Sequence, residues 1–416
     1  MSEPRQQNSG LKLGTFRSFK NHTYRLYYGA LLGQMGAMNM QMLARSLLIY
    51  RLTGSTAILG GTAVAHALPM LFLSLFGGVI ADRVQKKYVM LVGQACSAVV
   101  SVMVAIALSF GYLSAERAGS WWILIVASSL QGAIVGLVMP SRMAIIREIV
   151  NEDELLNAVS LSNMGRNALR LFAPALTGFL IDVFYFEAIY YVMTAMYVMA
   201  VLFTAFLPRT SPTGTSSTGA LTGMKEGFQY LRKEITILSV LVFVLLVIVL
   251  AMPYQRLMPV FCDDILKVGA TGMGVLLSIS GIGAVTSSLV LASLPNKKRG
   301  LLLLVCSLVM SLALVGFSFS NSWPLSLVLI VFVGMGNTGL MTLASTLMQY
   351  YVDPNYLGRV LSILMMQYGL ISFGTFAAGL LAESIGVQWA VGGFALAIVL
   401  LSIIALSFMS RIRNLD

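Results

Sequence analysis

Gly78-Val79-Ile80-Ala81-Asp82-Arg83-Val84-Gln85-Lys86-Lys87 separates two long apolar blocks, and its reading decides the fold. An apolar run ends there in a glycine, an acid and clustered bases, as a spanning helix does where it leaves the bilayer. Such blocks recur about twelve times, each near the roughly 20 apolar residues a crossing requires. They fall near 23–50, 56–81, 88–111, 120–141, 155–181, 186–207, 235–262, 270–294, 300–319, 324–350, 359–382 and 388–410. Apolar residues make up 58% of the chain and charged residues 10%, against about 25% charged in a soluble domain. Nearly all polar length lies outside the blocks, so no soluble domain is large enough to hold separate chemistry. The chain reads as an all-α polytopic membrane protein.

The net charge of +11 invites a nucleic-acid reading, but its placement argues against one. Segments that alternate to one side carry Arg5, Lys12, Arg17, Lys20, Arg25, Arg83, Lys86, Lys87, Arg142, Arg147, Arg209, Lys225, Arg232, Lys233, Lys297, Lys298, Arg299, Arg359, Arg411 and Arg413. The opposite loops carry only Arg51, Arg117 and Lys267. By the positive-inside rule both termini are expected in the cytoplasm, in a bacterial inner membrane. The basic charge then serves topology and anionic lipid rather than DNA. Residues 1–21 are polar and offer no cleavable signal peptide. Cys96, Cys262 and Cys306 are isolated, which gives no metal-ligand or disulfide spacing. No cofactor is called for.

The chain divides into halves. Pro208 to Leu221 encloses a Thr-Ser-Pro-Thr-Gly-Thr-Ser-Ser-Thr-Gly run, the composition of a flexible linker. Met224, Phe228 and Leu231 then share a helical face, which predicts either a short helix on the membrane interface or an ordinary solvated one. The expected organisation is an N-terminal bundle over 1–207, a linker with its short helix over 208–234, and a C-terminal bundle over 235–416. Val150-Asn-Glu-Asp-Glu-Leu-Leu156 echoes Val352-Asp-Pro-Asn-Tyr-Leu357, and Gly178-Phe-Leu-Ile-Asp182 echoes Gly379-Leu-Leu-Ala-Glu383. Span five is thus equivalent to span eleven, and duplicated halves around a central site are a transporter architecture.

Phe16-Arg-Ser-Phe-Lys-Asn21, Tyr50-Arg-Leu-Thr-Gly-Ser55, the 78–87 loop, Met139-Pro-Ser-Arg142 and Gly227-Phe-Gln-Tyr-Leu-Arg232 together carry a family resemblance. The chain resembles major facilitator superfamily transporters over nearly its whole length, and in particular the bacterial exporter branch with the enterobactin exporter and several drug-efflux pumps. The resemblance implies twelve transmembrane helices in two pseudo-symmetric six-helix bundles, usually working as a monomer. It assigns Gly78, Asp82, Arg83, Lys86 and Lys87 to a cytoplasmic gate, with Gln85 replacing the usual second glycine. Gly78 would let a neighbouring helix approach, and Asp82 would accept from the amides opening span eleven around Tyr356 to Arg359. A carboxylate at a helix N-terminus is favoured by roughly 0.3–1 kcal/mol. Pro174 and Gly178 match an exporter motif, although Ala173 and Thr177 replace two of its glycines. Small residues and a proline there allow a bend and tight packing that can seal the inward-closed state.

Charge inside the membrane is the less usual content. At about 1.5 Å per residue from Leu155, Arg166 and Arg170 lie near the bilayer centre, on one face with Asn163 and Asn167. A central arginine costs at least about 2.5–3.5 kcal/mol unless it faces a cavity or a partner. His66 is similarly deep. Gln34, Gln41 and Arg45 share a face of span one. Arg45 and Arg256 fall in the outer third, where they either reach the interface or line the path. Gln131, Asn337 and Gln367 complete the candidate cavity set. No acid lies deep in any span; Asp182, Glu187, Asp263, Asp264 and Glu383 sit at ends. Position 128, where the family sometimes has an arginine, is Ser128.

These features predict a secondary transporter that exports an amphipathic anionic or zwitterionic small molecule by alternating access, with uptake of an anionic metabolite as the alternative. No Gly-x-x-x-x-Gly-Lys-Ser/Thr sequence is present, so an ion gradient or the substrate's own must drive transport. If protons couple, His66, whose unperturbed pKa is about 6.5, the substrate, or Asp182 and Glu383 would carry them. An enzyme would need a nucleophile, acid pair or metal cluster that this chain does not assemble.

Overall fold

A computed structural model describes residues 16–209, 220–295 and 297–415, with the side chains of Leu75, Val79, Ala81, Asp82 and residues 220–225 outside that description. The first half contains α1 (His22–Thr53), α2 (Thr56–Arg83), α3 (Lys86–Ser109), α4 (Trp122–Ala144) and α5 (Glu152–Ala205). After α6 (Ala220–Lys233), the second half contains α7 (Ile235–Ile265), α8 (Gly269–Ser293), α9 (Arg299–Ser318), α10 (Trp323–Tyr351), α11 (Pro354–Ile385) and α12 (Val387–Phe408). Among the described residues, ten helices are long and apolar enough to cross a membrane. α1 is not among the ten; its 32 residues carry Gln34, Asn39, Gln41 and Arg45 through the middle. α5 counts once, yet its 54 residues break at Tyr185, whose φ of 62° is left-handed. A bulky residue rarely adopts that conformation, and here it marks a turn between two lengths of helix.

Local chemistry explains where the helices begin. Asn21 accepts from the amides of Thr23 and Tyr24 at 2.9 and 3.3 Å, and Ser55 accepts from Ile58 at 3.2 Å. Caps of this kind contribute about 1 kcal/mol each. Gly54, at φ 62°, ends α1 in the left-handed conformation that glycine adopts without strain. Within the first half, α1 packs on α5, α2 on α4, and α3 on both α4 and α5; in the second, α9 and α8 pack on α10, and α12 on α9 and α11. The halves meet along two seams, α5 with α8 and α2 with α11.

Candidate functional site

We call the end where α1 begins the basic side and the opposite end the far side. Between the seams lies a cavity of about 390 Å³, lined by Asn39 and Met42 of α1, Asn167, Arg170 and Pro174 of α5, Gln255 of α7, Ser280 and Ser288 of α8, Thr338 of α10 and Tyr368 of α11. The volume suits a drug-sized molecule. Arg170 is its one charged lining residue, and no acidic side chain lines it.

The far side is shut by backbone contact. A Cβ on Gly178 would stand 2.1 Å from the carbonyl oxygen of Ala270, and one on Gly274 would stand 2.3 Å from that of Pro174. On the other seam, a Cβ on Gly379 would stand 2.5 Å from the carbonyl oxygen of Thr56. Each seam is finished by an acid. Asp182 Oδ2 accepts from the backbone amide and hydroxyl of Thr271 at 2.8 and 2.6 Å. Glu383 Oε2 accepts from the amide and hydroxyl of Thr56, both at 2.9 Å, from the Ser55 hydroxyl at 3.1 Å and from the Ala57 amide at 3.2 Å. Each acid ends a helix of one half and caps the first turn of a helix in the other, where exposed amides and the helix dipole favour a negative charge. The end of α1 is tied to α7 as well, by Arg51 with Asp263 at 2.9 and 3.1 Å and by Tyr50 with Asp264.

The basic side is arranged differently. Nothing lies within 4 Å of a Cβ built on Gly78 of α2 or on Gly358 of α11. The close approach expected at Gly78 is therefore not made in this state; on α2 it falls at Gly77, whose Cβ would stand 2.5 Å from the Gly136 carbonyl oxygen. Lys86, 3% exposed, pairs with Glu148, and Lys87 donates to the Leu207 carbonyl. These two lysines of the 78–87 loop tie α3 to its own bundle. Arg83 is exposed, and the side chain of Asp82 lies outside the described residues. The amides proposed as its partners are engaged already. α11 starts at Pro354, Asp353 caps it through the Asn355 amide at 2.8 Å, and the Tyr356 and Leu357 amides bond the Asp353 carbonyl at 2.8 and 3.0 Å.

The short helix α6 docks on that same start of α11. Glu226 pairs with Arg359 at 2.7 Å, Tyr230 stacks on Tyr356 at 4.5 Å between ring centroids, and the Tyr230 hydroxyl accepts from the Asp353 amide at 3.1 Å. Leu231 is buried while Phe228 is exposed, and Met224 lies outside the described side chains.

The remaining candidates separate into three groups. Asn167 and Arg170 face the cavity, with Arg166 one turn away holding Asn163 at 2.9 Å. Gln34 and Gln131 point instead into the first bundle. Gln94 links Gln34 at 3.2 Å to Thr204 at 2.8 Å, and Gln131 reaches Ser97 and Tyr197 at 3.2 and 3.1 Å. Buried amides take such partners because leaving them unmet is unfavourable, although the Gln131 Oε1 finds none among the described residues. Gln41 and Gln367 are buried and Asn337 is half-buried; none of the three lines the cavity. The His66 ring nitrogen Nδ1 lies 3.1 Å from the Ser128 carbonyl, between α2 and α4. Arg45 and Arg256 line a separate small cavity nearer the far side. Pro174 and Gly178 pack on α8, sealing the far side rather than an inward-closed state, because they lie past the middle of the length of α5 that precedes the break at Tyr185. Gln255, Ser280 and Tyr368 were not anticipated. Gln255 follows Pro253, where α7 breaks, and broken helices mark binding regions. Arg142, read as basic-side charge, is half-buried with its guanidinium 4.0 and 3.9 Å from the sulfurs of Met35 and Met38.

A polar cavity between two helical halves whose seams close at the far side fits a membrane transporter of the major facilitator type. Residues 13–416 match the family described as transmembrane secretion effector, and the chain belongs to that family, within the efflux branch of the major facilitator transporters. It is 27% identical over 349 residues to the MFS-type transporter YfiS of Bacillus subtilis (strain 168), covering 79% of this chain and 78% of that one. It is 22% identical over 371 residues to the staphyloferrin A transporter of Staphylococcus aureus (strain NCTC 8325 / PS 47), covering 89% and 90%. With macrolide efflux protein A of Streptococcus pyogenes it shares 24% over 412 residues, covering 94% and 97%. The fold matches a bacterial homologue of the lysosomal transporter Spinster in its inward-facing, unoccupied conformation, with TM-score 0.68, 13% identity and coverage of 96% and 98%. A POT peptide transporter in complex with sulfate matches with TM-score 0.72, 13% identity and coverage of 94% and 95%.

Proposed function

We propose that this protein exports an amphipathic anionic or zwitterionic small molecule by alternating access through twelve crossings, α1 and both lengths of α5 included. The observation that carries this reading is the central cavity, which presents Arg170 among neutral polar and apolar side chains and no acid. A cation held without a protein counter-charge at this depth attracts a negative group on the substrate. The basic side faces the cytoplasm on the positive-inside rule, so the cavity draws substrate from the cell or the inner leaflet. Export accords with relatives named for efflux. Removing Arg170 tests it. Arg170→Gln protein, with normal insertion, is expected to lose about tenfold in transport of anionic compounds, corresponding to about 1.4 kcal/mol. Cationic compounds should be affected least. Equal loss for both charges, or none, would overturn the anionic reading; accumulation assays in cells with and without the protein separate export from uptake.

The 78–87 loop is proposed as the gate of the basic side, closing when α2 and α11 come together. Because α11 caps itself through Asp353, Asp82 acts there in competition with an internal acid rather than on free amides. Asp82→Asn is expected to lower transport severalfold with expression unchanged, read as initial export rate per inserted protein, since a helix-terminal charge is worth about 0.3–1 kcal/mol. A wild-type rate would remove the gate assignment.

A further inference from the structure

Between the central cavity and the far-side seal lies a second, much smaller space of about 10 Å³, bounded by Arg45 and Ser46 of α1, Leu59, Thr62 and Ala63 of α2, and Arg256 of α7. Two arginines, one from each half of the molecule, thus line one small space. Arg45 is 7% exposed, and its Nη1 has no hydrogen-bond partner among the described residues. Neither arginine forms an ion pair among them. The acids nearest in sequence to Arg256 are engaged elsewhere, Asp263 with Arg51 and Asp264 with Tyr50. The two hydroxyls in the wall direct their hydrogens to their own helices, Ser46 to the Met42 and Leu43 carbonyls, both at 3.0 Å, and Thr62 to the Leu59 carbonyl at 2.6 Å. The donors left to face the space are guanidinium N–H groups.

We propose that this space binds a single monatomic halide, chloride in the cell, as the counter-ion shared by Arg45 and Arg256. Two like charges at hydrocarbon depth require a negative partner, and the described residues supply none. A space this small suits a monatomic anion better than a carboxylate, sulfate or phosphate. Because the arginines come from opposite halves, the halide bridges them only while the far side is closed. Parting the seams separates the two cations and opens the space to the outside. Chloride is then a ligand of one conformation and shifts the population toward it by the factor 1 + [Cl⁻]/Kd. The site is independent of the identity of the transported molecule.

The test uses the full chain in lipid nanodiscs at constant ionic strength, with gluconate replaced stepwise by chloride, bromide or acetate. Melting temperature and the distance between spin labels on the far ends of α5 and α8 are read together. Chloride and bromide should raise the melting temperature saturably and increase the closed-to-open ratio about tenfold at ten times Kd. Acetate should do neither, and Arg256→Gln should abolish the response. A flat halide titration would overturn the proposal. So would a response to acetate equal to that to chloride, or one unchanged in Arg256→Gln. Should that variant fail to insert, the anomalous signal of bromide-soaked wild-type crystals decides: a peak between the two guanidinium groups supports the site, and its absence there overturns it.

Discussion

Gly178→Val protein is expected to remain inserted but to lose more than a hundredfold in transport, with its far side held apart. The hydrogen on Gly178 faces the carbonyl oxygen of Ala270, and the first carbon of any side chain would fall 2.1 Å from that oxygen. This neighbour is backbone, so no rotamer change relieves the clash, and α5 and α8 must separate by more than an ångström. Overpacking by even a methylene costs about 1–3 kcal/mol. A branched residue against backbone belongs at the upper end or beyond, and about 3 kcal/mol already shifts a two-state equilibrium more than a hundredfold. Labels on the far ends of α5 and α8 should report a lengthened distance, and cysteines lining the central cavity should become reactive from the far side. Valine at Gly358, which has nothing within 4 Å, serves as the comparison and should leave the far-side distance unchanged. A Gly178→Val protein that transports normally would show that the seam does not govern closure.

Removing both far-side acids should act in the same direction without any steric change. In Asp182→Asn/Glu383→Gln protein the helix starts keep neutral acceptors but lose two negative charges. Both acids are exposed, so solvent screens them, and each is worth about 1 kcal/mol rather than the sum of its hydrogen bonds. The acids lie on separate seams and share no donor, so their effects should add. Together they shift the balance toward the far-side-open state by about thirtyfold, and each single variant by about fivefold. Far-side label distances and reactivity of cavity cysteines measure this. Single and double variants that keep the wild-type balance would mean that the glycine contacts alone hold the seams. If the double variant also uncouples transport from a pH gradient while His66→Gln does not, the acids are additionally the proton carriers.

The features that were legible in the sequence are those set along the helix axis. Apolar length marked the ten helices that are long and apolar enough to cross, though not α1, and the Gly178–Asp182 and Gly379–Glu383 echo paired two acids that the structure puts in equivalent places. A rise of about 1.5 Å per residue put Arg166 and Arg170 well inside the helix, and Arg170 does line the cavity. What was illegible is rotation about that axis. A spanning helix is apolar toward lipid and toward its neighbours alike, so periodicity does not show which face looks inward. Gln34 and Gln131 could therefore be taken for pathway residues when they bond inside the first bundle, Gln34 to the Gln94 amide and Gln131 to the Ser97 and Tyr197 hydroxyls. Arg45 and Arg256 lie far apart in the chain and meet only because α1 and α7 do. The self-capping of α11 could have been foreseen, since Asp353-Pro354 is a helix-start signature.

The far-side contacts have a bearing on how such a chain could have arisen. The first half lends Asp182 to the start of α8 and receives Glu383 at the start of α2, so each half supplies one cap and accepts one. An exchange of that kind, in which patch i meets patch j and j meets i, is the isologous contact of a two-fold dimer. Two copies of a six-helix ancestor could have formed both seams by symmetry before any peptide joined them. Joining two such copies in one chain would free the two sides to diverge, and residues bordering the symmetry axis, where a homodimer must repeat itself, would be free to differ between halves. In the register that sets Gly178 against Gly379, Arg170 of the first half corresponds to Ile371 and Asn167 to Tyr368, an asymmetry at the central cavity, while Asp182 and Glu383 at the outer rim keep equivalent places.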